Sequence, residues 1–313
     1  MARRRWQAAR AMIAAAAVMV TVACGSGSSA GKPSASAPAV LPSSGTGTAE
    51  IGGRQVTVHV PDSYHPDRPA PLVIGLHGYS SDAREFESYM RLTPESDRRG
   101  FVYAYPDGTT DDRGNRFWNA TDACCAFSSP ETDDSGYLSQ LISTMRATYR
   151  IDSSRVYLIG HSNGGFMAFR MACEHADQVT AIVSLNGASW TDAARCRPSR
   201  PVSVLAVHSS ADETIAFGGG QINGVAYPSA ATTITQWLGY DRCAATGRDA
   251  APLDLVTDLP AAETSVRAYT QGCAGGSTVR EWTIDGGTHV PRLTSTFATA
   301  VTDFMVAAVR PAR

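Results

Sequence analysis

The sequence predicts an α/β fold in which helices cover both faces of a mostly parallel central sheet, and three observations carry that prediction. Short apolar runs rich in β-branched residues alternate with stretches of helical periodicity along most of the chain. Two of those runs, residues 71–79 and 201–208, are apolar enough to read as strands buried inside a sheet. The pentapeptide Gly160-His161-Ser162-Asn163-Gly164 stands where the run Arg155-Val156-Tyr157-Leu158-Ile159 gives way to a helical stretch, residues 165–172.

Taken in order, residues 51–60 alternate as an edge strand, residues 71–79 form a strand ending in His77-Gly78-Tyr79, and residues 101–105 form another. Residues 106–134 are rich in glycine, aspartate and cysteine and follow neither period, as lids and binding loops do. Trp118 in that loop either stacks on an aromatic or sugar group or plugs the space beneath the loop. An amphipathic helix over 137–149 precedes the pentapeptide; a strand over 179–185 follows its helix. Then come the strand 201–208, a helix over 229–240, strands over 266–270 and 279–285, and a closing helix over 294–308. No internal repeat is visible.

A chain of 313 residues suffices for one large domain with a substantial core. Arg3, Arg4, Arg5 and Arg10 precede an apolar stretch, residues 11–23, too short to span a bilayer, and Cys24 follows. Residues 1–24 therefore read as a signal peptide. Thr21-Val22-Ala23-Cys24 resembles a bacterial lipobox, which would make Cys24 the lipidated first residue of the mature protein; ordinary secretion is the alternative, since threonine stands where leucine is usual. A Ser/Gly/Ala/Pro tether, residues 25–47, would then hold the catalytic domain, residues 48–313, at the cell surface. Lys and Arg total 27 against 29 Asp and Glu, so losing the basic start leaves a mildly acidic protein; a monomer is expected. No basic cluster suggests nucleic acid, and no later apolar run suggests a membrane span.

The pentapeptide is a G-x-S-x-G motif at a strand-to-helix turn, a context that exposes a serine oxygen at the top of a sheet. A serine hydroxyl needs a histidine to take its proton and a carboxylate to orient that histidine. In this type of sheet the chain order is serine, acid, histidine. Ser162 is the expected nucleophile. Asp212, in the loop after the strand 201–208, is the expected acid, with Glu213 as its neighbouring rival. His289, in Gly286-Gly287-Thr288-His289, is the only histidine after the acid and the expected base. His77, His161 and His208 read as structural or supporting, and Asp285 as a turn residue. The backbone N–H groups of Tyr79 and Asn163 are the expected oxyanion donors. The Tyr79 ring either walls the acyl pocket or packs.

Cys24 aside, six cysteines remain in a chain that reads as exported, so disulfides are expected among 15 possible connectivities. Cys173 with Cys196 would bracket the strand 179–185, and Cys243 with Cys273 the segment before the base, which leaves Cys124-Cys125 as a vicinal pair. Zinc is the competing reading, but no Cys pair has two-residue spacing and the histidines are scattered. No metal or cofactor is expected.

With Leu76-His77-Gly78, Cys124-Cys125, the pentapeptide continued by Gly165, and Gly286-Gly287-Thr288-His289 in this order, the chain resembles the poly(3-hydroxybutyrate) depolymerase and feruloyl esterase group, especially its LpqC-like lipoprotein esterases. The resemblance covers residues 49–309. It implies the α/β-hydrolase fold, no cofactor, and ester hydrolysis by a Ser-Asp-His triad that falls on Ser162, Asp212 and His289. Asp133-Asp134-Ser135-Gly136-Tyr137 resembles the group's Asp-Asp-Val-Gly-Phe, where a structural role is implied. The group's histidine motif often continues Thr-Trp-Pro, whereas Val290-Pro291 follows His289 here, so one wall of a polymer cleft is missing.

The expected activity is that of an exported carboxylic ester hydrolase, acting on hydroxyalkanoate polyester or its oligomers, or on feruloyl or acetyl esters of plant polysaccharide. Two alternatives stand beside it. One is an acyltransferase of the mycolyltransferase type, and the other is a catalytically silent surface binding scaffold.

Overall fold

The computed structural model describes residues 41–311, so the expected signal peptide, Cys24 and most of the tether lie outside the described residues. A hairpin opens the chain, with β1 (Gly45–Ile51) and β2 (Arg54–Val60) joined through Gly52 and Gly53. Both glycines have positive φ, 59° and 77°, the backbone that a two-residue hairpin turn demands. The single edge strand expected over 51–60 is therefore corrected to two strands, and β1 begins inside the segment expected as tether. The alternation was real, but the Gly-Gly turn inside it reverses the chain.

The next strands are β3 (Ala70–Leu76), β4 (Val102–Pro106), the two-residue β5 (Thr109–Thr110) and β6 (Arg116–Phe117), β7 (Ile151–His161), β8 (Ala181–Leu185) and β9 (Ser203–Ser209). A small hairpin, β10 (Gly220–Ile222) and β11 (Val225–Tyr227), precedes β12 (Arg248–Leu253), β13 (Thr264–Tyr269) and β14 (Val279–Ile284). The helices are α1 (Ala83–Met90), α2 (Thr93–Arg99), α3 (Asp134–Thr148), α4 (Asn163–Glu174), α5 (Ala230–Tyr240) and α6 (Ser295–Ala307). The large sheet runs β1-β2-β4-β3-β7-β8-β9-β14-β13-β12. Its middle, from β4 to β14, is parallel throughout, and antiparallel pairs close both edges.

The two-residue period of β3 and β7 explains why both faces need cover. Leu72, Ile74, Leu76, Val156 and Leu158 meet the apolar sides of α3, α4 and α5, whereas Val73, Tyr157 and Ile159 meet those of α1 and α6. Each fully buried Leu or Ile stabilises the fold by about 1.5–3 kcal/mol, so the parallel strands tolerate little polarity. At the other extreme β12 is solvent-facing along almost its whole length, so no apolar period marked it. The cysteines pair as Cys124–Cys125, Cys173–Cys196 and Cys243–Cys273. Asp134 is buried, accepts from Thr109 and the Asn119 N–H, and faces Arg54; it thereby ties the long loop to the start of α3.

One buried carboxyl sets up a stability prediction. Asp241 caps α5 and faces the residue before β9: Oδ1 accepts from the Val202 N–H at 3.2 Å, and the Ser277 hydroxyl lies near the carboxyl. Burial pushes its pKa up from 3.8 to about 7, against the opposing pull of the Val202 and Ser277 hydrogen bonds. Because the folded value lies above the unfolded one, the protein loses stability as pH climbs from about 4 to about 7. Asp241→Asn removes that ionisation and is expected to gain about 4 kcal/mol at pH 8 and nothing at pH 4. Thermal unfolding across that range checks it; a gain independent of pH would refute the assignment.

Candidate active site

Five adjacent parallel strands end on one side of the sheet, and the residue or loop after each enters the same site. His77-Gly78-Tyr79 follows β3, Ser162 follows β7, Asn186 follows β8, Asp212 lies beyond β9, and His289 lies beyond β14.

Ser162 sits at φ 54° and ψ −121°, a left-handed backbone that a non-glycine residue adopts only when its surroundings impose it. Its neighbours leave no choice. A Cβ on Gly160 would lie 2.1 Å from the Gly164 carbonyl oxygen, and one on Gly164 would lie 2.0 Å from that of Leu76. The sharp strand-to-helix turn thus requires glycine at both flanking positions, and it lifts the hydroxyl out of the sheet above the N-terminus of α4.

The serine, histidine and aspartate expected from the sequence meet. Ser162 Oγ lies 2.9 Å from His289 Nε2, and His289 Nδ1 lies 2.8 Å from Asp212 Oδ2 and 3.0 Å from Oδ1. Asp212 Oδ1 also accepts from the N–H groups of Thr214 and Ile215, each at 2.8 Å. Burial pushes the Asp212 carboxyl up, but the His289 hydrogen bond and charge, with those two N–H groups, outweigh it and hold it below the usual range. A carboxylate there makes Nδ1 the donor and leaves Nε2 free to accept the serine proton. The rival acid takes another role: Glu213 Oε2 accepts from the backbone N–H of His289 at 3.2 Å.

Three further contacts fix the histidine loop. Asn186, itself at φ 53°, donates through Nδ2 to the His289 carbonyl at 2.8 Å, and its Oδ1 accepts from the Ser209 N–H at 2.8 Å. His161 Nε2 lies 2.9 Å from the same carbonyl; an oxygen there only accepts, so His161 carries its proton on Nε2. Burial, then the neighbouring His289, pushes the His161 pKa down to about 4, which keeps it neutral near pH 7. His77 takes the opposite tautomer. Its Nδ1 donates to the Gly78 carbonyl at 2.7 Å, and Nε2 accepts from the Gly108 N–H at 2.9 Å. Burial lowers its pKa too.

The residues of the two expected oxyanion donors are neighbours of the serine, Asn163 in sequence and Tyr79 in the cavity lining. Asn163 opens α4, where helix geometry leaves the N–H without a carbonyl in its own helix. Tyr79 follows Gly78, at which an added Cβ would come within 3.5 Å of Ser162 Cβ. The Asn163 side chain faces away from the site. It is fully buried, bonded to both backbone polar groups of Trp118 and to Cys124 Sγ.

Trp118, one of two residues expected to touch substrate, is corrected. It is 0% exposed and donates its indole N–H to the His77 carbonyl at 3.0 Å, so no ring face is open for stacking. The loop closes over it because Asn163 clamps its backbone. Tyr79, the other, lines a cavity of about 300 Å³ over Ser162 and His289 together with Phe86, Tyr89, His161 and Val290. Its hydroxyl donates to Asp111 Oδ2 at 2.7 Å. Among the described residues no helix is long and apolar enough to cross a membrane.

A serine on a glycine-flanked turn after a central parallel strand, facing a histidine and a carboxylate from later strands, places the molecule among the α/β-hydrolases. The family model described as Esterase PHB depolymerase matches residues 57–254, and the chain belongs to that family. It is 27% identical to the bifunctional acetylxylan esterase/xylanase XynS20E of Neocallimastix patriciarum, over 75% of this chain and 34% of that protein. Identity to feruloyl esterase B of Piromyces equi is 26%, over 75% of this chain and 42% of that one. The chain thus spans less than half the length of either relative. Among solved structures, an acetyl xylan esterase from Aspergillus awamori has a TM-score of 0.58 at 13% identity, covering 82% of this chain and 94% of that one, a likeness of fold alone.

Proposed function

We propose that this protein hydrolyses carboxylic esters through a covalent acyl-enzyme on Ser162. The observation that carries the proposal is the unbroken chain from Ser162 Oγ through His289 to Asp212, with contacts of 2.9 and 2.8 Å. Ser162 Oγ attacks the ester carbonyl carbon while its proton passes to His289 Nε2. The negative charge that gathers on the carbonyl oxygen is met by the N–H groups of Asn163 and Tyr79, and Asp212 stabilises the imidazolium. Collapse breaks the bond to the alkoxy oxygen, which leaves as the alcohol with the proton from His289. Water then repeats the sequence on the acyl-enzyme, giving the carboxylic acid and restoring Ser162. The aromatic walls of the cavity, Tyr79, Phe86 and Tyr89, suit a small or aromatic acyl group such as acetyl or feruloyl.

A p-nitrophenyl alkylphosphonate tests the reading directly, because it traps only an activated serine. One phosphonyl group per chain is expected on the peptide that carries Ser162, with loss of p-nitrophenyl butyrate hydrolysis in proportion. Labelling elsewhere, or none, would overturn the mechanism.

A further inference from the structure

The two N–H groups proposed above to meet the oxyanion come from separate parts of the chain, Tyr79 beyond β3 and Asn163 at the start of α4. Their spacing needs a lower and an upper bound. The lower bound is steric. An added Cβ on Gly164 would lie 2.0 Å from the Leu76 carbonyl oxygen and 2.7 Å from that of His77, so the end of β3 and the first turn of α4 already touch. Contact of this kind resists approach far more than it resists separation.

The upper bound comes from the tripeptide Arg116-Phe117-Trp118, whose hydrogen bonds fall on both parts. On the β3 side, the Trp118 indole N–H donates to the His77 carbonyl at 3.0 Å, and the Arg116 carbonyl accepts from the Ser80 N–H at 2.8 Å. These two bonds grip the backbone before and after Gly78-Tyr79. Ser80 stands at φ 59°, a left-handed backbone that a serine keeps only under such restraint. On the α4 side, the Asn163 side chain takes both backbone polar groups of Trp118, accepting from its N–H at 2.7 Å and donating to its carbonyl at 2.8 Å. Trp118 therefore bonds to both parts at once, and its burial at 0% exposure keeps solvent from competing for those bonds.

We propose that Trp118 is a positioning residue that braces the oxyanion site, holding the segment of Tyr79 and that of Asn163 at a fixed separation; the proposal rests on the esterase reading above. The indole is closed off from the cavity and acts only through where the two N–H groups stand. Its contribution belongs to the transition state, in which the carbonyl oxygen gains charge, and hardly to substrate binding. The brace also works in series. Cutting it at the His77 end or at the Asn163 end releases it, and cutting both ends releases nothing more.

The test measures kcat/KM on p-nitrophenyl butyrate, and the inhibition constants of two ketones of matched chain length, for the full chain, Trp118→Phe, Asn163→Ala, their double variant and the control Trp237→Phe. A trifluoromethyl ketone adds to Ser162 Oγ and leaves its oxygen as an anion facing the two N–H groups, whereas the plain methyl ketone does not add and reads ground-state binding. Trp118→Phe keeps an aromatic ring beside His77, whose ring centroid lies 5.1 Å from that of Trp118, and removes the indole N–H. Asn163→Ala keeps its own backbone N–H and removes both bonds to Trp118. Each single variant is expected to lose about 10- to 100-fold in kcat/KM, to weaken the trifluoromethyl ketone by the same factor, and to leave the methyl ketone within about twofold. The double variant should lose no more than the poorer single variant. Trp237 is also 0% exposed, but its indole N–H has no partner among the described residues. Trp237→Phe thus removes the same atoms from the core without cutting a brace, and all three readouts should stay within about twofold. Rates are referred to the serine titrated by the phosphonate, and Asn163→Ala carries the same expectation if Trp118→Phe fails to fold. An unchanged kcat/KM in either single variant, equal weakening of both ketones, or losses that multiply in the double variant would each overturn the brace and leave the esterase reading standing. A full chain that is neither titrated by the phosphonate nor inhibited by the trifluoromethyl ketone would overturn the esterase reading itself, and the brace with it.

Discussion

Ser162→Ala is expected to lower kcat on p-nitrophenyl butyrate by on the order of 10⁶-fold, because no other side chain in the site can form the acyl-enzyme. His289 is held as a base and His161 is pushed down to about 4, but a histidine in the Ser162 contact can only activate water once the hydroxyl is gone. The substitution should leave the fold alone. Alanine, like serine, lacks nothing that the φ of 54° requires, since the turn is imposed by Gly160 and Gly164 packing on each other and on β3. The histidine loop also keeps its clasps from Asp212, Glu213, Asn186 and His161. An unfolding temperature within about 3 °C of the unsubstituted chain, with hydrolysis gone, is the expected pair of results. A variant that retained a tenth of the activity would remove Ser162 from the chemistry.

The parts of this site that could be read from the sequence are those whose chemistry demands a residue type at a position in chain order. Ser162, Asp212 and His289 each follow a recognisable buried strand, and a G-x-S-x-G turn needs its glycines for reasons of approach that any backbone of this kind imposes. Asn186 was invisible by the same logic. It is one asparagine after one apolar strand, and its value lies in holding the Ser209 N–H and the His289 carbonyl, 23 and 103 residues further along the chain. Glu213 was seen only as a competitor for the acid role, because adjacency in sequence hides the fact that its carboxylate reaches a backbone N–H rather than an imidazole.

The fold divided along similar lines. Strands buried on both faces announce themselves, whereas α1 buries only Ala83, Phe86 and Met90 in eight residues and begins at an Asp82 cap, too little to stand out. Trp118 illustrates the opposite failure. A tryptophan in a long irregular loop has equal use as a platform or a plug, and the decision lies with Asn163, forty-five residues later, whose amide pins the tryptophan backbone inward.

Asp212→Asn should lower kcat on the order of 10⁴-fold with KM little changed, and the reason lies in which oxygen is already committed. Oδ1 accepts the N–H groups of Thr214 and Ile215 at 2.8 Å, so in the variant the amide must keep its oxygen there and turn its NH₂ toward His289 Nδ1. Two donors cannot face each other. His289 would move its proton to Nε2, where it points at Ser162 Oγ and can no longer take the serine proton. Glu213 offers no rescue, since its carboxylate is engaged by the His289 backbone N–H and it lacks the paired N–H groups that keep Asp212 ionised. Glu213→Gln still accepts that N–H through its amide oxygen and is expected to cost less than about tenfold. Steady-state kinetics of the two variants side by side decide between the acids: a larger loss for Glu213→Gln than for Asp212→Asn would transfer the role to Glu213.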